Sequence, residues 1–244
     1  IKGGEKLAEF GKVLQKNQIK KENAGINQAN IDNQGYGAEL FRAAKENADA
    51  NATDFTPNIL AEYDKNMEAK LAAAPNQRVR DEMQADFTRT RNALVQKSSI
   101  FESVTRSKNE KNVFVSNGHK AGNVVFETPT EEQYEQTRDA RQREIDNTSL
   151  RQHVKDELMR DEVKALRFKQ YAGMLEKATN ADQIDTILGA RNGDELSKEG
   201  FARLGKAGKA KKRRFDVDAR LAKVERRSKI RDAEASIRVA NAEF

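Results

Sequence analysis

Residues 54–75 read DFTPNILAEYDKNMEAKLAAAP and residues 76–101 read NQRVRDEMQADFTRTRNALVQKSSIF, and together they decide the fold class. Thr53 or Asp54 stands where a helix cap belongs, and Pro57 suits a first turn, where its missing N–H goes unused. Leu60, Tyr63, Met67, Leu71 and Ala74 then fall on one helical face, and Pro75 ends the run. A second stripe follows in Val79, Met83, Phe87, Thr90, Leu94 and Phe101. Two amphipathic helices joined by a short Pro-containing turn predict an antiparallel αα-hairpin. Core packing accounts for every apolar residue in it, Met67 and Met83 included.

Upstream, Leu7, Phe10, Leu14, Asn17, Lys21, Ala24, Gln28 and Ile31 alternate in steps of three and four. This is heptad spacing with a half-polar seam, suited to a helix seated in an assembly and equally to an ordinary surface helix. Gly35 and Gly37 are expected to break it, with a short helix over 38–50 after them. Downstream, Val113-Phe114-Val115 and Val124-Val125-Phe126 flank a glycine-containing stretch and read as a small β-hairpin. An isolated hairpin is marginal in water, so these six residues are candidate assembly contacts. One long helix is expected from a Thr130 cap to about Lys177, with Val154, Leu158, Ala165, Phe168, Ala172 and Leu175 as its stripe. Two short helices follow within 180–204, the second capped by Ser197. Residues 205–244 form a basic helix or tail with a thin stripe (Val217, Leu221, Val224, then Ile230, Ala233, Ile237, Ala240, Phe244). The expected segments are therefore 1–50, 51–110, 111–128, 129–204 and 205–244. The fold class is mainly α, with long helices, an αα-hairpin and one small β-hairpin, extended and dependent on assembly.

Composition agrees. The chain has 244 residues with only 36% hydrophobic and 6% aromatic, no Trp, three prolines and 34% charged residues. Globular domains carry about 45–50% apolar residues, a figure that includes Gly. Narrow apolar stripes on long helices need less buried surface per residue than one thick core. There is no Cys, which excludes disulfides, a catalytic thiol and thiolate metal sites and leaves the redox compartment open. No apolar run reaches the roughly 18 residues of a membrane span. Ile1-Lys2-Gly3-Gly4 has no signal-peptide core and no initiator Met, which points to a processed chain or a segment of a longer one.

Charge is concentrated. Between Gly205 and Arg231 stand twelve Lys or Arg and only Asp216, Asp218 and Glu225, a local excess of nine in a chain of net charge +6. The rest of the chain is therefore negative by three. Lys206, Lys209, Lys211, Lys212, Arg213, Arg214, Arg220, Lys223, Arg226 and Arg227 are the candidate phosphate contacts. The phosphates can be those of double-stranded DNA or of an anionic membrane surface; the same residues can instead form a solvated face answering an acidic neighbour. No aromatic is interleaved in Lys209–Arg214, so base stacking and sequence readout are not indicated.

No catalytic constellation is visible. His119 and His153 are the only histidines and lie in different expected elements. Neither has a nucleophile turn around it, and no clustered His supplies a transition-metal site. Gly200 to Gly205-Lys206 has P-loop glycine spacing, but Ala207 replaces the hydroxyl residue and no strand precedes it. The expectation is a non-enzymatic protein with no cofactor and no metal.

Two segments resemble internal virion, or ejection, proteins of tailed bacteriophages. The first runs from Asp54-Phe55-Thr56-Pro57 through Leu71-Ala72-Ala73-Ala74-Pro75 to Ile100-Phe101-Glu102. The second runs from Ala181-Asp182 through Gly193-Asp194-Glu195-Leu196-Ser197 to Leu204. Together they cover about a third of the chain. The resemblance implies a protein packaged in the virion above the portal, with portal or core proteins as neighbours. It also implies exit through the tail after adsorption and assembly of several copies into a DNA conduit at the host cell envelope and periplasm. No muralytic motif is present, so the cell-wall-cleaving activity of some relatives is not carried over, and the resemblance supplies no catalytic residues. A sequence-independent nucleic-acid-binding helical protein and a coiled-coil scaffold are the alternative readings.

Overall fold

The structure, a computed structural model, describes residues 2–191 and 195–242, with side chains placed over 9–191 and 195–234. Among the described residues there are seven helices and no strand: α1 (Lys2–Glu46), α2 (Phe55–Ala72), α3 (Gln77–Glu127), α4 (Glu131–Asp146), α5 (Gln152–Lys177), α6 (Ala181–Ala190) and α7 (Lys198–Ala242). The chain divides into two compact units, residues 1–110 and 111–244.

In the first unit, α2 and the start of α3 make the expected hairpin. Asn76 caps α3 by accepting a hydrogen bond from the Val79 N–H at 3.0 Å. Ile59, Tyr63 and Met67 of α2 and Val79, Met83, Phe87 and Leu94 of α3 are buried together. Asp54 precedes α2 in the left-handed region (φ 51°) and its side chain makes no cap bond. Asp49 instead organises this turn, accepting from the Asn51 and Thr53 N–H groups at 2.8 and 3.0 Å; the Thr53 bond is the main reason its carboxyl is held below the ordinary range.

The first helix corrects the sequence reading twice. It runs unbroken through Gly35 and Gly37. Gly37 lies where α1 approaches α3, and a Cβ there would stand 3.2 Å from Thr90 Cγ2. The seam is also a different one. Ile26, Asn33 and Leu40 are buried, whereas Ile31 and Phe10 of the expected stripe are more than 60% exposed. The core-facing stripe was hidden because its centre is polar. Asn33, fully buried, donates to Asp86 and Thr90 at 3.1 Å each and accepts from the Tyr63 hydroxyl at 2.7 Å.

The second unit contains the main correction. Residues 112–126 are helical, part of α3, and not a β-hairpin. Phe114, Gly118, Ala121, Gly122 and Val125 recur at helical spacing, so one face carries two large side chains at its ends and almost none between. That gap reads as a loop in the sequence, but it is the slot that receives α5. A Cβ on Gly118 would stand 2.4 Å from Glu162 Oε2, and one on Gly173 of α5 would stand 2.2 Å from the Phe126 carbonyl oxygen. Gly173 permits near backbone contact between the parallel helices α3 and α5, while Gly118 and Gly122 make room for the Glu162 and Lys169 side chains of α5.

The expected helix over 130–177 is likewise two helices. Thr130 caps the first, accepting from Gln133 N–H at 3.1 Å. It stops at Asp146, because Asn147, Thr148 and Ser149 favour turn hydrogen bonds over helix. Thr148 bonds back to the Ile145 carbonyl, and the chain reverses into α5. On α5 Ala165 is exposed, and the buried face runs through Met159, Glu162, Leu166, Gln170 and Gly173. This helix is covered on two sides, by α3 with α4 and by α6 with α7, so no single stripe marks it.

Candidate functional site

Ser197 caps α7, accepting from the Gly200 N–H at 3.0 Å. The helix then continues through Gly205, where the sequence suggested a boundary, so the P-loop-like glycines sit inside a helix. Its first turns dock on α5 and α6. Leu204 joins Ile184, Leu175 and Leu196 in an apolar cluster. Gly208 leaves room for Leu188, whose Cδ1 would be 2.8 Å from an added Cβ. Lys211 Nζ donates to the Leu175 carbonyl at 2.8 Å and also to that of Glu176. A cation there satisfies orphan carbonyls at the negative end of the α5 dipole. Lys212 pairs with Asp185, a contact that raises the lysine pKa. Phe215 is half-buried, and beyond it residues 216–234 are all exposed.

The ten sequence-predicted cations thus separate. Lys211 and Lys212 are half-buried and engaged within the fold, while the other eight are exposed. Continuous helix brings six of those eight together. Lys206, Lys209, Arg213, Arg220, Lys223 and Arg227 alternate at three- and four-residue steps, with Asp216 in the one intervening slot. They form a single ridge of about 31 Å at 1.5 Å per residue, close to one turn of B-DNA, about 34 Å. Such a ridge can follow a row of phosphates but offers nothing that reads bases. Arg214 and Arg226 point elsewhere on the helix.

The six predicted assembly contacts do not form one surface. Phe114 and Val125 are buried in the second unit, and Val113, Val115 and Val124 are 45–48% exposed. Phe126 is half-buried, with Lys169 Nζ 5.9 Å from its ring centroid. A strand pairing through these residues is removed by the helix.

Sequence reasoning missed two buried arginines of the second unit, Arg141 and Arg167, and the charge clusters they anchor. The Arg141 guanidinium stacks 3.8 Å from the Phe114 ring centroid, donates to Glu162 Oε1 at 2.9 Å, and bonds Glu144 and the Phe114 carbonyl. Burial raises the Glu162 pKa, and Arg141 opposes that shift. Arg167 lies 3.7 Å from the Tyr134 ring centroid and donates to Glu131 and Gln170 at 2.6 and 2.7 Å. Glu195 lies 2.9 Å from Arg167 Nε, an ion pair without hydrogen-bond alignment. Each cluster is closed on itself and shaped for packing. Among the described residues no group of three His, Cys, Asp or Glu is placed to hold a metal, and no helix is long and apolar enough to cross a membrane. His119 and His153 lie exposed on α3 and α5.

Compared with known proteins, the chain matches no protein family, no curated protein and no solved structure.

Proposed function

We propose that this chain is a non-enzymatic virion protein of a tailed bacteriophage that oligomerises and takes part in genome ejection. In this reading it forms part of a DNA-conducting channel or core across the host envelope. The observation that carries the DNA contact is the exposed basic ridge of α7, free of the docking duties that occupy Lys211 and Lys212. The virion setting rests on the resemblance of residues 54–102 and 181–204. Its neighbours would be further copies and the portal or core proteins, and its location the virion and then the host envelope and periplasm. A passage for DNA of any sequence needs contacts that are electrostatic, exchangeable and blind to bases, and phosphate contacts by lysine and arginine meet all three needs.

A sequence-independent nucleic-acid-binding protein is the second reading, supported by the same ridge without the assembly; a coiled-coil scaffold is the third. Light scattering at low and high salt, with and without duplex DNA, separates them. The conduit reading expects a discrete closed oligomer that persists without DNA. It also expects DNA binding whose log K falls with log salt at a slope of about −5 if all six ridge cations are used. A small species that gains mass only with DNA, and loses it steeply in salt, would replace it with the second reading. Self-association indifferent to salt and no DNA binding would replace it with the third.

A further inference from the structure

The exposed half of α7 carries a second pattern beside the ridge. Val217, Leu221 and Val224 are 53–63% exposed and, with Ser228, alternate at four- and three-residue steps. This stripe is not an extension of the docking face. Leu204, Gly208, Lys211 and Phe215 define that face, and its continuation would fall on Asp218, Ala222 and Glu225. The stripe lies on the other side of the helix and has no partner among the described residues.

Its flanks are sorted by sign. On a heptad with Leu221 and Ser228 at a and Val217 and Val224 at d, the g positions are Arg213, Arg220 and Arg227, and the e positions are Asp218, Glu225 and Asp232. Side chains at g and at the following e of a facing helix pair across a parallel coiled-coil seam and set partner choice and orientation. We infer that residues 213–232 of α7 bind the same residues of a second copy of this chain, parallel and in register. Arg213 then faces the other copy's Asp218 and Arg220 its Glu225, each pair formed twice. An antiparallel arrangement would set arginine against arginine and carboxylate against carboxylate along both flanks. Arg214 and Arg231 occupy the a and d positions at either end and limit the apolar seam to its centre, their stems lying along it while the charges reach water. Three apolar layers are fewer than a free-standing coiled coil uses, so the contact acts with others in an assembly. Arg213, Arg220 and Arg227 of the basic ridge are then taken up by the seam, while Lys206, Lys209 and Lys223 of the ridge, with Arg226, stay exposed for phosphate, and the salt slope of DNA binding falls to about −3 to −4. The inference rests on the self-association in the proposed function and not on DNA.

The absence of native cysteine makes the test direct. Single Val217→Cys and Ser228→Cys variants of the full chain, nuclease-treated and oxidised gently, are expected to form disulfide dimers. Their yield should exceed that of the outward Ala219→Cys control on the order of tenfold, because a paired site sees a far higher effective concentration. Only a parallel, in-register contact serves both positions, since an antiparallel one cannot bring two sites eleven residues apart each against itself. In the Ser228→Cys background, Arg220→Glu and Glu225→Arg should each weaken self-association by roughly tenfold through like-charge contact, and a mixture of the two should restore it. All substituted residues are exposed, and unchanged circular dichroism confirms folding. Yields equal to the control, dimerisation at one position alone, or charge reversals without effect and without mutual rescue would overturn the inference. If light scattering still shows a closed oligomer in that case, the proposed function survives and only this contact falls.

Discussion

The two units share one grammar and fill it differently. In the first, a helix of 18 residues, α2, runs back between α1 and α3; in the second, return helices of 16 and 10 residues, α4 and α6, run back between α3 and α5 and between α5 and α7. The first unit closes around one contiguous cluster of Leu, Ile, Met, Val and aromatic side chains, with a connected polar set at Asn33, Tyr63, Asp86 and Thr90 and a separate buried Ser98 bonded to the Leu94 carbonyl. The second has three small apolar clusters, together with glycine slots and two arginine–carboxylate contacts. Large apolar stripes tolerate adjustment, because neighbours can repack. A slot closed by backbone, as at Gly173, and buried charges do not, because a backbone cannot give way cheaply and a buried ion without its partner is costly.

The sharpest test of that contrast is Arg141→Met. The Arg141 side chain is 4% exposed and that of Glu162 10%, so removing the cation strands a carboxylate in the core. The expected loss is about 3–5 kcal/mol of stability by urea unfolding. Glu162 already has its pKa raised by burial, and losing Arg141 raises it further. A raised carboxyl pKa contributes stability that is fully present below the unfolded value and is lost as pH rises through the folded value. The deficit of Arg141→Met should therefore be smaller in acid than at neutral pH. Adding Glu162→Leu should recover most of it. In the first unit, by contrast, Arg91→Ala breaks the Arg91–Asp64 pair, whose side chains are 41% and 38% exposed. That change should cost no more than about 1 kcal/mol. Equal losses at the two arginines would break the comparison.

Gly173→Ala probes the slot itself. An added methyl meets the Phe126 backbone carbonyl at 2.2 Å, and the helices must part to admit it. The expected cost is about 3 kcal/mol, read as a lower urea midpoint. This site also explains what the sequence leaves illegible. Met83, Phe87 and Leu94 announce a helix by their size and spacing, and the hairpin at 54–101 follows from them. Gly118, Gly122 and Gly173 mark an interface by having nothing there, so the helical repeat from Phe114 to Val125 reads as strand, loop and strand. Arg141, Glu162 and Arg167 look like surface residues in any composition count, because only the folded contacts show them buried. The turn at Asn147-Thr148-Ser149 was legible as three consecutive cap formers, but the helical spacing on both sides outweighed it. In the candidate site, the basic residues and the thin stripe were both readable. The sorting of ridge from docking cations was not, since it depends on which turns of α7 meet α5 and α6.

Tyr63→Phe tests the connected polar set of the first unit. The hydroxyl lies 2.7 Å from Asn33 Oδ1 and 3.2 Å from the Phe87 carbonyl, and its loss leaves the Asn33 oxygen buried without that donor. The expected cost is about 1–2 kcal/mol, well below that of Arg141→Met. A loss as large as the arginine's would mean that the first unit also depends on a buried polar contact, and the contrast would narrow to the glycine slots.

The smallest effect separates two glycines within one helix. Around Gly35 nothing lies within 4 Å of an added Cβ, whereas at Gly37 a Cβ would press on Thr90 Cγ2 at 3.2 Å and Leu94 Cδ1 at 3.5 Å. Both residues are helical without positive φ, so neither needs glycine for its backbone. Gly35→Ala should then stabilise the first unit by about 0.5–1 kcal/mol, the usual helix-interior gain. At Gly37 the same gain meets a contact from which Thr90 must move, and Thr90 is held by its bond from Asn33. Gly37→Ala should therefore fall below Gly35→Ala by a measurable margin and be neutral or destabilising. If the two substitutions stabilise equally, α1 sits on α3 more loosely than its contacts imply, and a tolerant interface would then belong to this unit at its closest approach as well as along its apolar stripe.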